Sequence, residues 1–163
     1  MAAIGLLVLR LFLGTVLVAH GAHELFGTFG GPGIGLGGLT STTAYYANLG
    51  LAPAFLFAVA SGVLQLAGGV LVVIGYFTRA TSIAIIVLEV VTISADSARW
   101  GFFLNWVLDP TRGHGMEYSL LTVGVLCCLG LAGAGEWSLD GLRDRSAQAL
   151  AAGRARIRDR GSI

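Results

Sequence analysis

The chain has 163 residues, 55% hydrophobic and only 12% charged, with a mean hydropathy of +0.81. A soluble domain of this length would carry about a quarter charged residues, so the composition excludes an ordinary water-soluble fold and predicts an all-α transmembrane protein. The formal net charge of +1 implies no nucleic-acid partner, and the two cysteines, adjacent at Cys127 and Cys128, give neither a disulfide framework nor metal-ligand spacing.

A membrane-spanning helix needs about 20 mostly apolar residues. The first such run covers 4–26. Ionisable residues inside a span are costly and turn towards the bundle interior. At about 100° per residue, Arg10, Gly14, His20, Gly21 and Glu24 share one arc of this helix. His20 and Glu24, four apart, are placed to bond each other. With a rise of ~1.5 Å per residue, Arg10 lies ~9 Å from the inner end. It is read as reaching back to the headgroups, with an ion pair to Glu89 as the alternative.

The loop after this span holds Gly33-x-Gly35-x-x-Gly38. That spacing imitates a dinucleotide-binding loop, but such a loop needs a strand before it and a helix opening within it. Here it follows a span, so it is read as an irregular glycine-rich connection. Thr40, Ser41 or Thr42 is expected to cap a short helix through Tyr45, Tyr46 and Leu49, with Gly50 ending it.

The second span is expected over 53–76, with Pro53 in its first turn and Ala58, Gly62, Gln65 and Gly69 in line. The third, 79–94, is short, and Ser82, Glu89 and Asp96 recur every seven residues. Beyond it, Trp100, Phe102, Phe103 and Trp106 are read as an aromatic belt at the water–lipid boundary or as the wall of a site for a flat, apolar ligand such as a quinone. The fourth span, 117–134, aligns Glu117, Gly124, Cys128 and Gly135; Cys127 and Cys128 are read as small packing residues. A basic tail, 136–163, carries six arginines from Arg143 to Arg160. Leu139, Leu142, Leu150 and Ile157 spread among them predict a partly amphipathic helix on the inner surface.

Cytoplasmic loops carry an excess of basic residues. That rule places both termini and Arg79 in the cytoplasm and the first and third loops outside. Each span presents one face of small and polar residues, which lets helices approach closely and hydrogen-bond across. A transmembrane four-helix bundle over 1–135 follows. His20, Glu24, Gln65, Glu89 and Glu117 are then expected around one polar funnel open to the outside. Imidazoles and carboxylates also suit a transition metal, but His20 and His23 diverge on their helix and His114 lies in a loop. Histidines on only one span argue against bis-histidine haem. No cofactor motif is evident, and a quinone remains the candidate ligand.

Several short motifs occur in a telling order. His20, Gly21, Leu25, Phe26 and Gly27 match a His-Gly-x-x-Lys-Leu-Phe-Gly pattern. Gly30, Gly31 and Gly33 match a glycine-rich turn, and Leu49, Gly50, Leu51 and Pro53 a Leu-Gly-Leu-x-Pro segment. Gln65, Leu66, Gly68 and Gly69 stand where Glu-Leu-x-Gly-Gly is found, followed by Gly75, Thr78 and Arg79 at an inner turn. Gly101, Phe102, Phe103, Asn105 and Trp106, then Glu117, Tyr118, Leu120 and Leu121, complete the series. In these residues the chain resembles the DoxX family of small four-helix bacterial membrane proteins. The resemblance runs from Leu9 to about Leu142 and implies the bacterial plasma membrane. Two positions depart from the pattern: the family's lysine is Glu24 here, and its glutamate is Gln65. Members carry an oxidoreductase label. The related DoxD subunit belongs to a thiosulfate:quinone oxidoreductase, and some members are linked to oxidative-stress assemblies with superoxide dismutase and a sulfurtransferase. Three expectations follow: a quinone-linked membrane oxidoreductase or its membrane subunit, with His20 and Glu24 or Glu89 moving protons; a non-catalytic subunit of a larger membrane complex or homo-oligomer; and a pathway for a small solute or ion.

Overall fold

The computed structural model describes residues 2–30 and 37–160. Gly33 and Gly35 of the glycine motif lie outside them. Among the described residues the chain is all-helical. The elements are α1 (Ala2–Phe26), α2 (Gly38–Asn48), α3 (Ala54–Ile74), α4 (Thr78–Ala95), a 3-10 turn (Ser97–Trp100), α5 (Glu117–Ala132) and α6 (Leu139–Arg160). Three of them, α1, α3 and α4, are long and apolar enough to cross a membrane; α5 is apolar but shorter, at 16 residues. The end of the bundle carrying α2 and the 96–116 loop is called the loop end below. The end carrying the α3–α4 turn and α6 is the tail end.

Glycine decides how α1 meets α3. A Cβ on Gly14 would lie 2.8 Å from the Gly69 carbonyl oxygen, and one on Gly21 would lie 2.7 Å from the Gly62 carbonyl oxygen. The two backbones therefore touch, an approach that small residues permit and that substitutes for a hydrophobic driving force inside lipid. α4 packs along α5, and α3 joins the two pairs. Leu13, Leu17, Val72, Ile85, Leu126 and Leu129 form the apolar core. Phe12, Leu121 and Leu131 point outward with many other large apolar side chains, far more than a soluble monomer exposes.

Two expectations need correction. α2 is not capped by Thr40, Ser41 or Thr42. Its start is set by Gly37 and Gly38, at φ 61° and 81°, a conformation that glycine adopts without steric cost. The Thr42 hydroxyl instead donates to the Glu24 carbonyl at 2.9 Å and the Gly38 carbonyl at 3.1 Å, fastening α2 to the end of α1. Gly50, at φ 75°, follows the helix as expected. The second correction concerns α5. It buries Ser119, Thr122, Leu126 and Leu129 and leaves Gly124, Cys127 and Cys128 exposed. Hydroxyls that need partners and leucines that fill volume win the interior, whereas glycine and cysteine lose little by facing lipid.

At the tail end, Asp140 of α6 folds back on the α3–α4 turn. Its carboxylate accepts the amides of Phe77 and Thr78, both at 3.0 Å, satisfying orphan donors at the start of α4. Its own amide donates to the Gly75 carbonyl at 2.9 Å. The tail thus begins as an anchored helix.

Candidate functional site

The loop-end halves of the spans hold a chain of polar side chains. Glu24 of α1 is its centre. Its Oε2 accepts from Ser61 Oγ and its Oε1 from Gln65 Nε2, both at 2.6 Å. Gln65 Nε2 also reaches Ser61 Oγ at 3.1 Å. The α3 face that carries Ala58, Gly62, Gln65 and Gly69 is buried, so the amide points at α1 and not at lipid. Position 65 is an amide where the DoxX pattern has an acid, and here that amide donates to the acid at position 24.

Glu89 of α4 is 6% exposed and sits against Ser119 of α5, within electrostatic reach of Glu24. Tyr46 of α2, 4% exposed, covers the cluster, with its hydroxyl at Ser61 and its ring against Phe57. Burial, with Glu24 and Glu89 nearby and the Ser61 contact opposing, pushes the Tyr46 phenol up to about 12. It stays a hydroxyl donor at every physiological pH. Tyr118 of α5 faces the same acids beside Thr122, and its buried hydroxyl has no hydrogen-bond partner. His20 stacks on Tyr118, ring centroids 5.2 Å apart, yet its residue as a whole is exposed at the seam between α1 and α5.

The structure therefore brings Glu24, Gln65 and Glu89 into one buried cluster, with His20 at its edge. Glu117 stands apart, its Oε2 accepting the Leu104 amide at 3.2 Å, so it ties the 96–116 loop to the start of α5. Trp100 turns inward to Asp96, while Phe102, Phe103 and Trp106 are exposed on the loop, at 51%, 67% and 74%. Ser61, Tyr46, Tyr118 and Ser119 belong to the cluster and were not singled out from the sequence. Ser61 lies one helical turn before Gln65 on the same face, a signal that was present. From the sequence Tyr46 is only a residue of the short helix and Tyr118 only part of a motif.

The histidines are spread out. His23 Nδ1 bonds the Thr28 carbonyl at 2.8 Å, and His114 Nδ1 accepts the Asn105 amide at 3.3 Å. Among the described residues no three His, Cys, Asp or Glu side chains converge as a metal site.

Asp96 closes the loop end. Its Oδ2 accepts from the Tyr45 hydroxyl at 2.6 Å; its Oδ1 accepts from Trp100 Nε1 at 2.9 Å and from Arg99 Nη2 at 2.7 Å. Partial burial opposes its ionisation, but these three donors and the Arg99 charge outweigh it and hold the carboxyl below the usual carboxylate range. The clasp pins α2 over the cluster.

Arg10 marks the other end. It is 1% exposed, and its Nη2 donates to the Trp137 carbonyl at 2.5 Å. Nε and Nη1 have no partner. It neither snorkels out to headgroups nor reaches Glu89; the guanidinium lies in the space a Cβ on Gly75 would fill.

Compared with known proteins, residues 5–103 match the model of the DoxX family. The match covers α1 to α4, and with them Glu24, Ser61, Gln65 and Glu89; it ends before α5. No curated protein and no solved structure matches.

Proposed function

The chain belongs to the DoxX family of membrane proteins, and from that premise we propose that it is the membrane subunit of a quinone-linked oxidoreductase. In this reading α5 is the fourth span of a four-helix bundle in the bacterial plasma membrane. Both termini are cytoplasmic, because the arginines crowd the tail. The loop end faces outward.

The observation that carries the reading is the Tyr118 hydroxyl, buried beside a cluster with two carboxyl groups and with only Thr122 close to it, outside good hydrogen-bond geometry. An unmade bond at a buried donor costs about 1–3 kcal/mol, so the site favours a ligand that brings an acceptor. A quinone carbonyl is such an acceptor. The ring would enter from lipid at the α1–α5 seam, between exposed His20 and Tyr118. Reducing a quinone to a quinol takes two electrons and two protons. In this reading the electrons come from a partner protein. The protons pass through Glu89, Glu24 and their hydroxyl neighbours, a class of intramembrane residue that marks proton relays.

The test is the quinone content of lipid extracts from purified protein. Wild type should retain close to one quinone per chain; Tyr118→Phe and His20→Ala should each retain several-fold less while folding normally. Equal retention by all three, or none in wild type after reconstitution with quinone, would remove the reading. A second reading, a non-catalytic subunit in a larger assembly, is favoured by the exposed Gly124, Cys127 and Cys128 face of α5, where a partner helix would fit closely. Co-purification with a larger enzyme in mild detergent, without retained quinone, would support it.

A further inference from the structure

The tail end holds a cleft of about 1030 Å³. It opens between the first three turns of α6, the start of α4 and the end of α5. Its position is set by the spans themselves: Arg79 is the second residue of α4, so the cleft lies at headgroup depth.

Two of its cations are uncommitted. The Arg79 guanidinium lies over Gly133, where a Cβ would sit 3.6 Å from its Nε. The Arg143 guanidinium stands 6.0 Å from the Phe77 ring centroid. Among the described residues neither donates a hydrogen bond, and the ion pair present is Arg99–Asp96 at the loop end. Arg145 is engaged, donating to the Glu136 carbonyl at 3.0 Å. The acids of the cleft are unequal. Asp140 is consumed by the amides of Phe77 and Thr78 and faces Arg10. Glu136 and Asp144 also line the cleft, and they narrow its choice. With three arginines against three acids the lining is balanced, so a multiply charged phosphate would meet repulsion, whereas a single phosphodiester can be held by hydrogen bonds from the two arginines that have donors to spare.

The bundle side of the cleft is apolar. Phe77, Ala80 and Ala132 line it, and Ile83 and Leu131, exposed at 62% and 82%, continue that surface along α4 and α5. A free anion would leave this half unused; acyl chains would cover it. Arginines at headgroup depth are drawn to anionic lipid, and arginine suits phosphate.

We propose that this cleft binds the phosphodiester headgroup of an anionic glycerophospholipid, with Arg79 and Arg143 on the phosphate and the acyl chains along the α4–α5 surface. The bound lipid then ties α6 to the bundle. The proposal rests on the cytoplasmic placement of the tail end proposed above and not on the quinone.

The experiment is thermal melting of the full chain in mild detergent, titrated with short-chain phosphatidylglycerol, phosphatidylcholine or inorganic phosphate. Phosphatidylglycerol should raise the melting temperature in a saturable way. Arg79→Gln and Arg143→Gln should each weaken its apparent affinity about fivefold, the factor expected for one arginine at a charged lipid surface. Arg112→Gln, at the loop end, should leave it unchanged. If Arg79→Gln does not fold, Arg143→Gln on exposed α6 reads the same site. Equal stabilisation by phosphatidylcholine would mean apolar adhesion only, equal stabilisation by inorganic phosphate would mean a free-anion site, and wild-type affinity in Arg143→Gln would remove the arginines; each overturns the proposal.

Discussion

At the loop end, Glu24 is held by the side chains of Ser61 and Gln65, each at 2.6 Å. At the tail end, Arg10 is held by one backbone carbonyl, that of Trp137, and by packing against Gly75 and Ser138. Both groups are polar residues of the same apolar helix. Their surroundings differ in what can change. Hydroxyls and amides rotate and exchange partners, so the loop-end cluster can accommodate a moved proton or a new acceptor. A carbonyl fixed by its own backbone, with glycine at the contact, cannot rearrange without moving a helix end. The tail end is built to stay, the loop end to respond.

The contrast breaks most completely where both ends depend on one contact. Gly21→Leu would drive a side chain into the Gly62 carbonyl and the Leu66 backbone, and no flexible atom is available to yield. We expect a loss of at least ~3 kcal/mol, the upper range for overpacking, seen as failure to elute as a single folded species. Gly75→Ala should act at the tail end alone. Its φ of 68° and the Arg10 guanidinium both oppose a Cβ, so the cost should be about 2–3 kcal/mol, read by denaturation in detergent, with hydrogen exchange of the loop-end amides unchanged.

Two substitutions at one position sharpen the other side of the comparison. Glu24→Ala leaves Ser61 and Gln65 buried without their acceptor and should cost about 2 kcal/mol. Glu24→Gln keeps an acceptor and should cost under about 1 kcal/mol. Equal costs would mean that the cluster is as rigid as the Arg10 site. The smallest effect is a pH response of the Asp96 clasp. The folded protein holds this carboxyl below its ordinary value, so ionisation favours the folded state. That contribution is complete above the usual carboxylate pKa of about 4 and is lost as pH falls through the lower folded value. Asp96→Asn should remove the response, with exchange of α2 amides as the readout, and tail-end amides should not notice.

Much of this was legible in the sequence where spacing and chemistry agreed. Ala58, Gly62, Gln65 and Gly69 mark one face by helical period, and all four are buried. On α5 the two cues conflict. The helical spacing of Glu117, Gly124 and Cys128, seven residues and then four, selects a face, but glycine and cysteine are tolerated by lipid, and the interior goes to Ser119 and Thr122. Arg10 was illegible for another reason. Its partner is a main-chain oxygen 127 residues away, and a carbonyl has no sequence signature. In the cluster, the acids stand out because they are rare in spans, while a tyrosine in a short helix (Tyr46) or at the start of a span (Tyr118) carries no such signal.

The central claim is that the loop-end carboxyl groups respond to a quinone. Infrared difference spectra of the protein in lipid, with and without added quinone, test it directly. Quinone should change the carboxyl band, and the change should be lost in Glu89→Gln and Tyr118→Phe and retained in Arg143→Gln at the tail end. An unchanged carboxyl band in wild type, or the same change in Glu89→Gln, would contradict it.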